Sequence, residues 1–292
     1  MYSVLNLTAP INGINNCGHI GHIVADFSQV CELANTNGFD AVNIDLNAVE
    51  KIGLDAAKSL MQRFNLKAAS FGLPVDLFAD AETFNHQLHH FERHAEMANG
   101  LDCSVVLTYL PPFSDTLNFN DLFVRTSDRL HRIKPILEKN KIKIGFEFIG
   151  PTETRQSTKY DFIHTIDGVR ALIASSDLYG LAGFKLDIHH WQNSGAGVLD
   201  IAHLDLNYLL YIELNDGLKG YDIFTIPEFE RELPFATGVT HIEGFLRALK
   251  KKGYQGPVAV EPWSQRIQDM PLKEAIGAVK RSLDKCLSLV RG

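Results

Sequence analysis

The chain has 292 residues, 45 % of them hydrophobic and 22 % charged, and a net charge of −7. This is the balance of an ordinary water-soluble globular protein with enough apolar material for one large core. The acidity argues against a general nucleic-acid binder or an anionic-lipid binder, because both need a basic face.

Short apolar runs alternate along the chain with longer amphipathic ones. The strand-like runs cover 3–8, 39–46, 66–73, 103–110, 143–150, 181–189, 209–216 and 256–263. Helical periodicity fills the intervals, most clearly at 27–37, 81–98, 121–140 and 241–253, and again at 272–290. Strands that alternate with helices pair in parallel through right-handed crossovers. Eight such units predict a single (β/α)₈ barrel over residues 1–292, with a doubly wound open sheet as the competing arrangement. No G-x-G-x-x-G follows the first strand and no Walker loop occurs, so the nucleotide-binding versions of that sheet lose support. The basic run KKKG at 250–253 sits where a helix C-terminus is expected, and cations suit the macrodipole there.

Cys17, Cys31, Cys103 and Cys286 form no C-x-x-C pair, which suggests free thiols in a reducing compartment. The start, MYSVLNLTAP, lacks the features of a signal peptide, and no apolar run has the length of a membrane span. A cytoplasmic protein that does not engage a membrane is expected.

In a barrel, a charged residue at the C-terminal end of a buried strand is a site candidate. The last four strands each supply one: Glu147 in GFEFIG, Asp187 in FKLDIHH, Glu213 in YIELND and Glu261 in VAVEPW. A single acid of this kind often serves as an ion-pair partner or caps the next helix. Four that converge on one mouth repel each other and favour the uncharged form unless a cation joins them. A shared divalent metal is therefore expected, with Mn²⁺ or Mg²⁺ ranked first for oxygen donors and Co²⁺ or Zn²⁺ following if a histidine joins. Lys185 competes for this role, because it shares strand parity with Asp187 and could make a structural pair with it. His189 has the same parity. The segment 218–238 is long for a strand-to-helix connection, and such loops usually form lids or bind ligands.

These strand-end acids resemble those of the sugar phosphate isomerase/epimerase family, the xylose isomerase-like TIM barrels, over essentially the whole chain. The family includes ketose 3-epimerases, hydroxypyruvate isomerase, inosose dehydratase and 3-dehydroshikimate dehydratase, with endonuclease IV as a relative. By this resemblance Glu147, Asp187 and Glu261 bind metal, and Glu261 also moves protons. His190, in D-I-H-H, binds substrate oxygens. Glu153 and Lys219 fall where epimerases contact substrate, although they carry arginine at the place of Lys219. Glu213 departs from the pattern, because the family usually has His there and sometimes Gln.

The resemblance implies a metal-dependent isomerase or epimerase acting through an enediolate, with Glu147 and Glu261 as acid and base. The expected substrate is a small sugar, polyol or keto-acid, more in keeping with an unphosphorylated molecule, since Arg155 and Lys219 are the only candidate phosphate-holding residues. Nucleic acid is not expected as a partner, and a homo-oligomer is compatible with the family. Alternatives are a dehydratase on the same site, an endonuclease IV-like repair enzyme with a histidine-rich zinc cluster, and a non-catalytic barrel. His19 and His22 in the first loop, and Phe71, Tyr109 and Trp263 at strand ends, are secondary candidates for the substrate wall.

Overall fold

In the computed structural model, which describes residues 1–7, 22–222 and 224–290, eight parallel strands close on themselves. They are β1 (Tyr2–Leu5), β2 (Ala41–Ile44), β3 (Lys67–Gly72), β4 (Val105–Leu110), β5 (Lys143–Phe148), β6 (Ala182–Asp187), β7 (Leu209–Leu214) and β8 (Pro257–Val260). Each pairs with its neighbours in sequence, and β1 pairs with β8 to close the ring. The competing open sheet is thereby replaced by the barrel. All six residues of β6 and of β7 are buried, as expected for strands covered on one side by helices and filled on the other by lumen side chains.

The outer ring is carried mainly by α1 (Phe27–Thr36), α2 (Leu46–Ile52), α3 (Leu54–Arg63), α4 (Ala81–Gly100), α5 (Phe119–Asn140) and α6 (Ile166–Ser175). After β6 come two short helices, α7 (Ile188–Asn193) and α8 (Val198–His203). The ring is completed by α9 (Ile242–Lys252), α10 (Gln265–Gln268) and α11 (Leu272–Ser288). Asp26 and Asp80 start their helices by accepting hydrogen bonds from two backbone N–H groups each. Gly253, at φ +85°, ends α9 immediately after its three lysines, as the basic run suggested.

Alternation along the strands sorts the lumen into layers. The floor is apolar: Val4, Ala41, Ala69, Leu107, Tyr211 and Ala259 form one cluster. Above it, Asn43 accepts hydrogen bonds from Ser70 (2.9 Å) and from the Tyr211 hydroxyl (3.1 Å). The acids lie at the C-terminal rim of the same strands, with Asp187 beside Glu213 in register and Glu261 one residue beyond β8. Cys31, Cys103 and Cys286 are free and buried, and Cys17 lies outside the described residues. No helix among the described residues is long and apolar enough to cross a membrane.

One buried group outside the barrel carries a pH signature. His94 on α4 is 1 % exposed, and neither ring nitrogen has a hydrogen-bond partner among the described residues. Burial first, then the charges of His90 and Arg93, lower its pKa to about 4. Between pH ~6.5 and ~4 the unfolded chain takes up a proton that the folded protein refuses, so this group makes stability fall as pH drops through that window. Urea unfolding of wild type and His94→Phe at pH 7 and pH 5 should show about 2 kcal/mol less loss in the variant. Equal losses would mean that His94 is protonated in the fold.

Candidate active site

The four strand-end acids meet. Glu147, Asp187, Glu213 and Glu261 all lie on the lumen side, and each offers an oxygen within 4.8 Å of the others. All four are buried, Glu213 completely. Two cations stand among them. The Lys185 ammonium lies 2.8 Å from Glu147 Oε2, 2.7 Å from Glu213 Oε2 and 3.9 Å from Glu261 Oε1. The Arg231 guanidinium, 1 % exposed, donates from one nitrogen to Asp187 Oδ2 (3.1 Å) and Glu261 Oε2 (3.2 Å). From another it donates to Glu228 Oε1 (2.6 Å). Five carboxylates thus face two cations.

The partners of Asp187 therefore differ from the structural pair with Lys185 considered from strand parity. Besides Arg231, Asp187 accepts hydrogen bonds from Asn215 Nδ2 at both oxygens (3.1 Å each) and from the His189 backbone N–H (2.6 Å). Lys185 belongs to the three glutamates. Both side chains point into the lumen, but their strand positions put Lys185 one layer deeper, beneath the acids rather than beside Asp187.

The long segment after β7 carries Arg231 into the mouth, and its own anchor is Asp216. That buried carboxylate accepts backbone hydrogen bonds from Gly217, Thr237, Gly238, Val239 and Thr240, at 2.8 to 3.1 Å. Asp216 and Glu232 also bond reciprocally through their backbones (2.8 Å each way). The loop is tied on its other side by Glu153, which accepts from the Glu228 backbone N–H (2.6 Å). Trp263, at φ +43°, packs edge-on against Phe229 with ring centroids 5.4 Å apart.

Asp187 ends β6 and caps α7 in the same step, so helical geometry begins at Ile188. Strand parity consequently stops at Asp187 and does not extend to His189. His190 Nε2 lies 3.7 Å from Glu147 Oε1, and its Nδ1 lies 3.5 Å from Glu228 Oε2. His189 reaches Glu228 (3.6 Å) and Asn193 (3.3 Å) instead. Gly150 passes so close to α7 that a Cβ there would collide with the His190 carbonyl oxygen, and its N–H donates to His190 Nδ1 (3.4 Å).

Burial, reinforced by Glu213, Glu261 and Asp187 and opposed by Lys185, raises the Glu147 carboxyl well above the usual carboxylate range. Burial likewise raises Asp187 to about 7 and Glu228 to about 8, with Arg231 opposing in each case. Burial alone would strip the proton from Lys185, but Glu147, Glu213 and Glu261 outweigh it and hold the ammonium charged. Burial and the nearby Arg231 charge keep His189 and His190 neutral.

Other sequence candidates lie elsewhere. Lys219 is exposed and takes no part in the polar contacts of the mouth; Arg231, farther along the same segment, reaches it. Arg155 is engaged with the Gly150 and Pro151 carbonyls. Phe71 packs outward against Phe91, away from the lumen. Tyr109 pairs in register with Glu147 across β4 and β5, which sets it beside the site. His22 bonds the Ile267 carbonyl (3.3 Å), and His19 lies outside the described residues.

The donor set offers a divalent cation oxygen ligands within reach of one another: four carboxyl groups converge, and Glu147 Oε1 has no hydrogen-bond partner among the described residues. The space between Glu147 and Glu213, however, already holds an ammonium.

Residues 31–286 match the family model described as "Xylose isomerase-like TIM barrel". The chain belongs to the xylose isomerase-like TIM barrel family. A curated relative is the inosose isomerase of Halalkalibacterium halodurans, 21 % identical over 257 residues, covering 85 % of this chain and 87 % of the relative. Among solved structures of the fold, a xylose isomerase domain protein from Alicyclobacillus acidocaldarius superposes with a TM-score of 0.80 at 23 % identity, covering 91 % and 94 % of the two chains. The IolI protein with a bound zinc atom gives a TM-score of 0.75 at 18 % identity, covering 90 % of this chain and 93 % of that one. Within this family, the mouth described above lies at the rim where (β/α)₈ enzymes place their chemistry.

Proposed function

We propose that this barrel is a sugar isomerase or epimerase that moves a proton next to a carbonyl in a small, unphosphorylated α-hydroxy ketone or aldehyde, an inosose or a ketose. The observation that carries this reading is the convergence of Glu147 and Glu261 on one cation-lined point at the C-terminal rim. One glutamate removes the proton from carbon and the other returns it, to the opposite face for epimerisation or to the neighbouring carbon for isomerisation.

A base that works on a weak carbon acid needs a raised pKa, and burial among like charges supplies it at Glu147. The enediolate that forms carries negative charge on oxygen, so the reaction needs positive charge held in place beforehand. Arg231, fixed to Asp187, Glu228 and Glu261, holds positive charge beside the acids. Neutral His190 can hydrogen-bond a hydroxyl. Glu147, Asp187, Glu213 and Glu261 offer the oxygen donors of a Mn²⁺ or Mg²⁺ site, and an ion there would supply Lewis-acid polarisation of the carbonyl, but the Lys185 ammonium stands between Glu147 and Glu213.

The excess of acids argues for a neutral polyhydroxy substrate, since a phosphate or a DNA backbone would be repelled. The test is proton exchange. Inososes and ketoses incubated with the protein in D₂O should gain deuterium next to the carbonyl, read by NMR. If none of them exchanges, with or without added Mn²⁺, the reading is wrong. If exchange comes with loss of a hydroxyl, the dehydratase variant of the same chemistry is selected.

A further inference from the structure

We propose that Lys185 is a built-in replacement for the divalent metal, so that the wild-type barrel carries its cation on β6 and binds a divalent ion only weakly. The ammonium stands where an ion shared by these acids would sit, within hydrogen-bond distance of Glu147 Oε2 and Glu213 Oε2. A metal bonded to those oxygens at about 2.1 Å would have to share their lone pairs, and nearly the same point, with Nζ. Arg231 covers the other half of the cluster through Asp187 and Glu261, so each of the four acids already has a cation.

Lys185 has no place to retreat to. It is 7 % exposed and borne on a strand, and below it the lumen is filled by Val4, Ala41, Ala69, Leu107, Tyr211 and Ala259. Pushed down, the ammonium would leave its carboxylates for a lumen that offers the neutral Asn43, Ser70 and Tyr211 hydroxyl above an apolar floor, at a large desolvation cost. Left where it is, it would lie against the incoming ion, with like charges in contact. Glu213 is bound up with this cation. It is wholly buried, and its charge and that of Lys185 compensate each other, which makes the pair a unit rather than a ligand waiting for metal.

The proposal deepens the reading above by naming the group that steadies the reacting oxygen. When the glutamate takes the proton from carbon, the electron pair moves to the carbonyl oxygen, and the Lys185 ammonium hydrogen-bonds the resulting oxyanion. The electrons return to carbon when the proton is given back, and Lys185 keeps its own protons throughout.

The test needs no turnover, so it can fail while the enzyme reading stands, and the reverse. Wild type, Lys185→Met and the double variant Lys185→Met/Glu213→Gln are titrated with Mn²⁺ at pH 7.5, free Mn²⁺ being read by electron paramagnetic resonance. The double variant removes both members of the buried pair, so a fold that tolerates no uncompensated Glu213 is kept intact. Wild type should bind Mn²⁺ at least about tenfold more weakly than the tighter variant, because its own cation opposes entry. Submicromolar binding by wild type, equal affinity in all three proteins, or no binding by the folded variants would each overturn the proposal.

Discussion

Glu147→Gln should lower deuterium exchange into substrate by about a thousandfold while leaving the protein at least as stable as wild type. The carboxamide has nearly the same shape and can still accept a hydrogen bond from Lys185, but it cannot take a proton from carbon. Stability should not suffer, because burial and three neighbouring acids disfavour the Glu147 carboxylate in the folded state, as its raised pKa records. Removing a charge that the fold disfavours relieves a cost, as is common where an active site is strained for function. The two readouts together separate chemistry from folding: exchange by NMR in D₂O, and thermal unfolding. Wild-type exchange rates in the variant would remove Glu147 from the proton-transfer role. A collapse in melting temperature would instead make it a structural partner of Lys185.

Arg231→Met should be among the most destabilising single changes in the chain, costing about 3–5 kcal/mol at pH 8. Its guanidinium touches Asp187, Glu228 and Glu261, all buried, and methionine leaves those acids without their cation. The loss should depend on pH. With carboxyl pKa values of about 7 for Asp187 and about 8 for Glu228, the folded protein binds more protons than the unfolded chain from pH ~4 upward, so stability falls as pH rises through those values. Without Arg231 both values rise further, and the variant should lose less at pH 6, where its acids are protonated, than at pH 8. Urea unfolding in the presence of EDTA at the two pH values measures this. A uniform loss would mean that the arginine acts through packing alone.

The eight strands and the rim position of the acids were legible because both follow from local pattern. A parallel strand covered on both sides must be almost wholly apolar, so one acid at the end of such a run stands out, as Glu147, Asp187, Glu213 and Glu261 do. The end of α9 was legible from the lysines that precede Gly253. The place of His190 against His189 was not legible from parity, because the helix begins at Ile188 and changes the period from two to 3.6. The segment 218–238 could be singled out by its length, but nothing local distinguishes Arg231 from Lys219 within it. That choice is made by Asp216, whose backbone bonds fold the loop back so that Arg231 enters the mouth while Lys219 remains in solvent.

The sequence by itself determined a (β/α)₈ barrel with four acids on one rim, because periodicity and the cost of burying charge are local constraints. Only the tertiary structure decided which cations meet those acids. Lys185 reaches three glutamates from three different strands, and Arg231 crosses from a loop to Asp187 and Glu261. Pairings of that kind depend on how barrel closure and loop anchoring bring distant residues to one point, and no spacing along the chain encodes them.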